Sequence, residues 1–243
     1  MNDPTTSKPH VSIVIPIFNE EGILRSAVTD LVERMKELGQ SYELILAENG
    51  SRDDTPAIAR HLSERYETVR SIHIDEPNYG KALRTGILDA KGEFVVCDEI
   101  DLCDIDFHRR ALDLLDKDEA DLVVGSKVMA GAEDKRPFMR KAGTMVINQL
   151  LHLFLGFKGT DTHGLKAFRR EAILPVVHQC LVDRDLFASE LVIRTERNGI
   201  RVMEIPITVV EKRKPSINLV KRVPNVIKNL GRLVMAIRFN KAS

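Results

Sequence analysis

Four carboxylate side chains lie close together, directly after the short apolar run at residues 94–97. They belong to Asp98, Glu99, Asp101 and Asp104. Because clustered negative charges repel one another, such a group usually holds something positive. The acid-x-acid spacing of Glu99 and Asp101 suits a hard divalent cation, Mg²⁺ or Mn²⁺, that keeps waters and bridges a diphosphate. The alternative, for this segment taken alone, is an acidic turn exposed to solvent.

The first half of the chain contains the elements that must position this cluster. Short β-branched runs alternate with segments of helical periodicity, which is typical of βαβ units and of a mostly parallel sheet with helices on both faces. Ligands of such sheets bind at the carboxyl ends of the strands. Asn19-Glu20 and Glu48-Asn49 also follow strands, so we expect them to converge with the acidic cluster. The predicted strands are 11–17, 42–47, 69–74, 93–97 and 120–124, and the predicted helices are 23–38, 80–90, 106–115 and one opening at Asp53.

The second half of the chain is less regular. Helices are predicted at 138–155, which has a strong apolar face, and at 183–198. A loop at 161–164 leads into a short predicted strand at 165–168, and a longer strand is expected at 201–210.

The C-terminal end of the chain is basic, although the whole chain is neutral. Lys+Arg and Asp+Glu both number 36 in 243 residues, yet nine basic residues and no acidic one follow Glu211. Apolar residues recur between these bases at helical spacing, which predicts a basic amphipathic helix that starts near Pro224. We expect this helix to contact an anionic membrane surface, with packing on the protein's own domain or on a partner as the alternative.

The remaining sequence features favour a cytoplasmic protein, peripheral to the inner face of a membrane. The three cysteines show neither CxxC nor zinc spacing, which fits a reducing compartment. The first ten residues lack the apolar core of a signal peptide, and no run approaches the roughly 18 apolar residues that span a bilayer. The expected divisions are a disordered N-terminus at 1–10, one α/β domain at 11–214 and the amphipathic helix at 215–243.

Several common ligand motifs are missing from the sequence. No GxGxxG follows the first strand, which disfavours a dinucleotide-binding Rossmann domain, and no GxxxxGK[ST] loop exists for a P-loop nucleotidase. No GxSxG elbow occurs either. The sheet must therefore bind its ligand in another way, and the carboxylates indicate a metal together with a phosphate.

An ordered set of motifs resembles a known family. Val14 to Glu20, Glu48 to Thr55, Asn78 to Ala82 and Glu99 to Leu102 follow one another as in the inverting family-2 glycosyltransferases. These enzymes have the GT-A fold, a Rossmann-like sheet with helices on both faces, and the chain is most similar to the polyprenyl-phosphate sugar synthases of the dolichyl-phosphate mannose synthase type. The resemblance covers roughly residues 11 to 214. Later matching pieces are Gly125 to Lys127, Arg140-Lys141 with Asn148, Asp161 to Arg169, Glu190-Leu191 and Glu204 to Pro206.

The resemblance implies a site for a nucleoside-diphosphate sugar. Glu48 matches the acid that accepts hydrogen bonds from the nucleobase, and Asn49 stands where a second Asp is usual. Glu99 and Asp101 match the metal-binding acid pair, with Asp101 the main ligand of Mg²⁺ or Mn²⁺. Cys103 stands where some relatives carry a polar metal ligand, but a thiol suits these ions poorly, so water or Asp104 is the alternative in the metal shell. The implied donor-binding residues are Pro16, Phe18, Glu20, Glu48, Asn49, Asn78, Gly80, Lys81, Glu99 and Ile100.

The resemblance also implies an acceptor side. Lys127 and Arg140 join Asp101 as the residues expected to act in catalysis, because they match a segment that contacts phosphate. Residues expected near the acceptor or its phosphate are Lys141, His163, Glu190, Lys212 and Arg213.

The implied reaction moves a mannose- or glucose-type hexose from a GDP- or UDP-linked sugar to a polyprenyl phosphate, in a membrane-peripheral enzyme with a possible membrane partner or a second copy. An ionised acceptor phosphate needs no general base. The alternative is a hydroxyl acceptor, which needs a base within about 3 Å. Asp161, His163 or Glu190 would have to be that base. A non-catalytic protein whose basic end binds nucleic acid is disfavoured, because the basic segment has no interleaved aromatic residues.

Overall fold

The computed structural model describes residues 8–184, 186–210 and 219–238, with the side chains of the last helix described from Lys228 onward. Nine strands and eight helices follow one another in these parts of the chain. The strands are β1 (Val11–Ile17), β2 (Tyr42–Asn49), β3 (Val69–Ile74), β4 (Phe94–Cys97), β5 (Leu122–Ser126), β6 (Glu133–Asp134), β7 (Lys166–Arg169), β8 (Val202–Pro206) and β9 (Thr208–Val209). The helices are α1 (Leu24–Leu38), α2 (Thr55–Arg65), α3 (Tyr79–Asp89), α4 (Ile105–Asp116), α5 (Phe138–Leu155), α6 (Arg170–Gln179), α7 (Phe187–Arg197) and α8 (Leu219–Arg238).

Seven of the strands form one sheet in the order β3-β2-β1-β4-β7-β5-β8. β1 is parallel to both of its neighbours, with Val11 opposite Tyr42 of β2 and Phe94 of β4. β7 lies between β4 and β5 and is antiparallel to both. β1 and β2 are buried along their whole length, as expected of apolar strands covered on both faces. β6 and β9 pair separately as a two-stranded ribbon.

Two layers of helices cover the sheet. Helices α1, α2 and α4 bury one apolar cluster on one face, which includes Leu31, Leu62 and Phe107. The other five helices bury a second cluster on the opposite face, which includes Ile87 and Leu191. The predicted α/β class, a mostly parallel sheet with helices on both faces, is confirmed.

Some boundaries differ from the predicted ones, and tertiary contacts account for most of the differences. The predicted strand at 201–210 divides into β8 and β9 at Ile207, whose N–H donates to Ser126 O at 3.0 Å. The predicted helix at 183–198 begins only at Phe187, because residue 183 packs against the start of α3. Helix α6 has no counterpart among the predicted elements. It contains Pro175, which helix interiors disfavour.

The C-terminal helix α8 packs onto the domain in the half whose side chains are described. Leu233 is fully buried, and Leu230 and Ile237 are buried beside it in the second apolar cluster. Arg194 of α7 donates to Ala236 O at 3.1 Å, which satisfies a carbonyl of the last turn of α8. The helix begins at Leu219, so the predicted start near Pro224 is wrong. In the parts of the chain that are described, no helix combines the length and hydrophobicity needed to cross a membrane.

The ends of the chain lie partly outside the described residues. This holds for residues 1–7 of the N-terminus that was predicted to be disordered, and for Lys212 and Arg213 of the predicted acceptor side. His10 already belongs to the fold, since its N–H donates to Ser41 O at 2.9 Å.

Candidate active site

The polar residues predicted to converge do lie at one edge of the sheet. Four strands of the sheet run in the same direction, namely β1, β2, β4 and β5. Their carboxyl ends therefore lie at the same edge. β7 runs the other way, so its first residue, Lys166, lies opposite Cys97 and Val124 at the same edge. The loop that leads into β7, from Asp161 to Gly164, therefore faces the acid turn that follows β4.

Glu48 closes the site on the β2 side and is 2% exposed. Its Oε1 accepts from Ser51 N at 2.6 Å, and its Oε2 contacts His73 Nδ1. Burial raises the pKa of the Glu48 carboxyl, but the hydrogen bonds from Ser51 and His73 outweigh burial and hold it below its ordinary value. Glu48 is therefore an ionised acceptor of hydrogen bonds, the property expected of a residue that recognises a nucleobase.

Asn49 and Asn78 fix the loop before α3. Asn49 Oδ1 accepts from Asn78 N at 2.6 Å, and Asn78 Oδ1 accepts from Lys81 N at 3.1 Å as the N-cap of α3. Lys81 itself is exposed and its Nζ lies 3.2 Å from Glu76 Oε1. Asn49 and Asn78 thus stabilise the loop through hydrogen bonds, whereas the side chain of Lys81 is exposed to solvent.

Gly80 permits a close approach within the protein itself. A Cβ atom at Gly80 would lie 1.5 Å from Asp183 O, so no other residue fits there without moving the loop before α7. Asp183 also contacts Arg84 of α3, with 3.3 Å between Oδ1 and Nη1. Gly80, which was predicted to let a nucleotide approach closely, is therefore required for the packing of this loop.

The loop after β1 is bonded to the loop after β2. Asn19, with a positive φ of 55°, accepts from Arg52 N at 2.9 Å, and Glu20 N donates to Thr55 Oγ1 at 2.7 Å. Phe18 lies half-buried in this loop, while Pro16 is buried within β1. Phe18 and Glu20 thus border the same edge as Glu48.

The four clustered carboxylates point in different directions. Asp98 is buried and pairs with His108 of α4 in the core, with 2.6 Å between Oδ2 and Nε2. Asp98 Oδ1 also accepts from Glu99 N at 2.6 Å, which shapes the turn. Glu99 and Asp101 remain half-buried at the site. Burial and the negative charge of Asp101 raise the pKa of Glu99 to about 7.

Cys103 and Asp104, the two residues named for the metal shell, both make contacts within the protein. Cys103 is buried, and its Sγ lies 3.5 Å from Ile100 O, on the inner side of the turn. Asp104 is the N-cap of α4, where its Oδ1 accepts from Phe107 N at 3.0 Å. Ile100, predicted to touch the donor, is buried in the first apolar cluster. All three residues thus have contacts within the protein, and their predicted roles in ligand binding stay predictions.

The carboxylates of Glu99 and Asp101 determine whether a divalent cation could bind at this site. In the described residues, no group of three or more His, Cys, Asp and Glu side chains could hold a metal by itself. Glu99 and Asp101 offer hard oxygen donors, which suit Mg²⁺ or Mn²⁺, and such ions commonly complete their shell with substrate phosphates and waters. The residues present therefore fit a cation that arrives with a diphosphate.

Lys127 forms a buried ion pair across the site. Its Nζ lies 2.7 Å from Asp161 Oδ2, and both side chains are almost completely buried. Burial raises the pKa of Asp161, but Lys127 and the His163 N–H outweigh it and hold this pKa below its ordinary value. Lys127 is thus held by the protein, and the predicted contact of Lys127 with an acceptor phosphate would have to compete with Asp161.

A polar network fixes Asp161 from behind. Glu204 of β8 accepts from Asp161 N at 3.0 Å and from Thr160 N at 2.7 Å. Asn148 of α5 donates to Thr160 O at 2.6 Å, and Ser126 shares a hydrogen bond with Thr160 at 2.6 Å. Three elements therefore determine where the Lys127–Asp161 pair lies.

Lys166 is a charged residue of this edge that is absent from the predicted site residues. It is 2% exposed, and its Nζ donates to Gly164 O at 2.7 Å. The signal in the sequence is a lysine inside the otherwise apolar strand predicted at 165–168.

Glu190 lies away from the open part of the site. It is fully buried, its Oε2 accepts from Leu181 N at 2.9 Å and from Val182 N at 2.7 Å, and its Oε1 accepts from Arg194 Nε at 2.7 Å. It therefore anchors the loop that packs on Gly80, and its predicted place beside the acceptor stays a prediction. Arg140 and Lys141, in contrast, lie half-buried in the first turn of α5.

Comparisons with known proteins agree with this geometry. Residues 12–176 match the family described as Glycosyl transferase family 2. The chain is 29% identical over 236 residues to glycosyltransferase AglD of Haloferax volcanii, which covers 92% of this chain and 38% of AglD. It is 28% identical over 221 residues to dolichyl-phosphate beta-glucosyltransferase of Saccharomyces cerevisiae, which covers 82% of this chain and 66% of that protein. The chain thus spans less than two thirds of AglD and about two thirds of the yeast relative.

A solved structure shares the fold. Glucosyl-3-phosphoglycerate synthase of Mycobacterium tuberculosis, in complex with Mn²⁺, UDP and glucosyl-3-phosphoglycerate, superposes with a TM-score of 0.65 at 17% identity, covering 96% of this chain and 82% of that one. The same enzyme with Mg²⁺ and UDP gives a TM-score of 0.67 at 18% identity, covering 96% and 81%. The family match extends from β1 through β7, over more than half of the chain, and so the chain belongs to glycosyl transferase family 2, a family of sugar-transferring enzymes.

Proposed function

We propose that the protein transfers a mannose- or glucose-type hexose from a GDP- or UDP-linked sugar to a polyprenyl phosphate, with inversion at the anomeric carbon. The donor is supported by the related fold that was crystallised with UDP and Mn²⁺ or Mg²⁺. The acceptor is supported by relatives named dolichyl-phosphate beta-glucosyltransferase in Saccharomyces cerevisiae and Trichomonas vaginalis, the latter 27% identical over 218 residues.

The state of the possible bases is the observation that carries the acceptor assignment. A hydroxyl acceptor needs a base that can reach it and take its proton. Asp161 is buried, paired with Lys127 and has a lowered pKa, and Glu190 is buried and bonded to the loop at residues 181–182. His163, the third candidate, is half-buried and shares a hydrogen bond with Thr162 at 3.1 Å. An acceptor phosphate is already ionised at neutral pH and avoids this requirement.

The donor half of the site would act by binding and orientation. Glu48 would accept hydrogen bonds from the nucleobase, and Glu99 and Asp101 would hold a divalent cation. When bound, that cation supplies positive charge against the leaving diphosphate. The acceptor oxygen attacks the anomeric carbon, the bond from that carbon to the diphosphate breaks, and the electron pair leaves with the diphosphate. Positioning and charge stabilisation then account for the rate.

The assignment predicts that Arg140→Ala lowers transfer to a polyprenyl phosphate by roughly 10- to 100-fold, because a charge-assisted bond to phosphate is worth about 1.5–3 kcal/mol. Binding of the nucleoside diphosphate should change little. The measurement is transfer from UDP-glucose and GDP-mannose to dolichyl phosphate in detergent, beside calorimetry with UDP and GDP. Arg109→Ala, at an exposed ion pair on α4, is the control.

Two outcomes of this assay would count against the proposal. Transfer to soluble sugars at a higher rate than to dolichyl phosphate would favour the hydroxyl acceptor, with His163 as the base. Equal transfer by wild type and Arg140→Ala would show that Arg140 does not contact the acceptor phosphate.

The exposed apolar surface of the described residues lies mainly on α5 rather than α8. Phe138 is 79% and Leu153 is 72% exposed, and Met139, Met145 and Val146 lie between them. Arg140 and Lys141 adjoin this face at its N-terminal end. We infer that α5 rests on an anionic membrane, with its apolar face in the lipid and its bases at the headgroups. The described half of α8 packs inward, and the predicted contact of this helix with a membrane stays a prediction.

We therefore expect the double variant Met139→Ser/Leu153→Ser to lose most of its binding to vesicles that contain phosphatidylserine. Each exposed apolar side chain contributes roughly 1.5–3 kcal/mol when it is fully buried. Co-sedimentation at several salt concentrations measures the loss, and raised salt should also release the wild type. Met203→Ser, at an exposed apolar position of β8, is the control. Equal sedimentation of all three proteins would contradict the proposal that α5 binds the membrane.

A further inference from the structure

Lys166 is buried at a position where an apolar residue would stabilise the fold more. It opens β7 between Cys97 and Val124, both of which belong to the second apolar cluster. Its described hydrogen bond goes to Gly164 O at 2.7 Å, and no ion pair joins it to a described carboxylate. An ammonium group that leaves water without an ion pair costs several kcal/mol. Stability alone therefore does not account for this lysine.

The turn that holds Lys166 is itself tightly built. A Cβ atom at Gly164 would lie 1.7 Å from Gly125 O, so the chain can approach the end of β5 only because residue 164 is glycine. The carbonyl of this glycine points at Lys166 Nζ. The same turn contains Asp161, whose partner Lys127 follows β5 directly.

Lys166 interacts electrostatically with charged groups of the site, including Asp161 and Glu99. The pKa of Lys166 is lowered to about 8, mainly by burial and also by the charge of Lys127, which together outweigh the raising effects of Cys97, Asp161 and Glu99. The pKa of Glu99 is in turn lowered by Lys127 and Lys166, against the larger effects of burial and Asp101. Lys166 is buried and lies opposite Cys97, the last residue of β4 before the acid turn, so its positive charge lies in the interior at this edge of the sheet.

We propose that Lys166 is a positioning residue for the leaving group, an internal positive charge that stabilises the departing nucleoside diphosphate without touching it. This proposal depends on the part of the proposed function that concerns the nucleotide-sugar donor, and not on the identity of the acceptor. As the bond from the anomeric carbon to the diphosphate breaks, its electron pair passes to the diphosphate, and negative charge grows at the edge of the sheet where Lys166 lies. A fixed charge in a buried site acts there without reorganisation. Arg140, Lys141 and Lys127 are left to the acceptor side.

The test separates the charge of Lys166 from its hydrogen bond. Lys166→Gln can still donate to Gly164 O but carries no charge, and Lys166→Met removes both. Lys158→Met, at an exposed lysine before β7, is the control. The full chain is used for three measurements: the melting temperature, calorimetric binding of UDP and GDP with Mn²⁺, and hydrolysis of UDP-glucose and GDP-mannose without an acceptor. In hydrolysis, water supplies the attacking oxygen and its proton goes to solvent.

We expect both variants to melt at or above the wild-type temperature, because an unpaired buried charge has been removed. Affinity for the nucleoside diphosphate should fall roughly 10-fold and hydrolysis roughly 10- to 100-fold per folded molecule. Lys158→Met should match the wild type in all three measurements.

Two results would overturn the role of the charge. One is wild-type affinity and hydrolysis in Lys166→Gln. The other is a loss of activity in both variants that only follows a loss of folded protein. A wild type that binds and hydrolyses the donor but transfers nothing to dolichyl phosphate refutes the acceptor assignment and leaves the role of Lys166 standing. A wild type that binds neither nucleotide with Mn²⁺ overturns both.

Discussion

Asp101→Ala should abolish the dependence of nucleoside-diphosphate binding on Mg²⁺ or Mn²⁺ and lower sugar transfer by roughly 100-fold or more. Asp101 and Glu99 are the two clustered carboxylates that remain at the site, because Asp98 pairs with His108 and Asp104 caps α4. Charge supplied by a metal at a leaving group is worth several kcal/mol, which corresponds to a loss of this size. Titration of UDP and GDP into metal-free and Mn²⁺-loaded protein measures the first effect.

The matched control lies in the same turn. Asp104→Ala removes the same charge three residues away, but its carboxylate is bonded to Phe107 N. It should cost about 1 kcal/mol of stability through the lost N-cap and keep the metal dependence. If Asp104→Ala lost the metal and Asp101→Ala kept it, the ligands would have to be reassigned. Because no third protein ligand joins the pair in the described residues, metal without nucleotide should bind weakly to the wild type.

The local parts of the fold could be predicted because their signals are local. The bounds of β1, β3 and α5 agree with the predicted ones, since buried β-branched runs and a long apolar periodicity fix them without reference to other elements. The convergence of Glu48 with the acid turn was likewise predictable from the parallel sheet alone.

Other parts of the site depend on contacts that the sequence does not display. β7 enters between β4 and β5 in the antiparallel direction, and this places Lys166 opposite Cys97, at the end of the strand that leads into the acid turn. The sequence does not show that Asp98 points into the core, where it pairs with His108 in the first turn of α4. The apolar stripe of α8 fitted a membrane as well as it fitted the domain, and the buried positions of Leu230 and Leu233 decide for the domain in the described half.

Removing one partner of the Lys127–Asp161 ion pair should cost more stability than breaking any other polar contact of the site. Asp161→Ala leaves the ammonium of Lys127 buried without its carboxylate, so the free energy of unfolding should fall by about 3–5 kcal/mol. Urea denaturation followed by circular dichroism measures this. The exposed pair of Lys117 and Asp113 has the same 2.7 Å separation of Nζ and Oδ2. Asp113→Ala should cost at most about 1 kcal/mol, because water screens an exposed pair.

The double variant Asp161→Ala/Lys127→Met decides whether the pair exists for stability or for the reaction. Removing both charges should restore most of the lost stability, since replacing a buried ion pair by apolar groups is often neutral. Transfer should nevertheless stay low, because Lys127 and the turn at Asp161 border the acceptor side. The wild-type pair also has a signature in acid. Lys127 keeps the pKa of Asp161 below its ordinary value, so the pair stabilises the fold at neutral pH and loses this effect as the pH falls through the lowered pKa. The double variant should lose less stability than the wild type over that acid range. If it is instead stable and fully active, the pair is structural, and the acceptor phosphate must be bound by Arg140 and Lys141 alone.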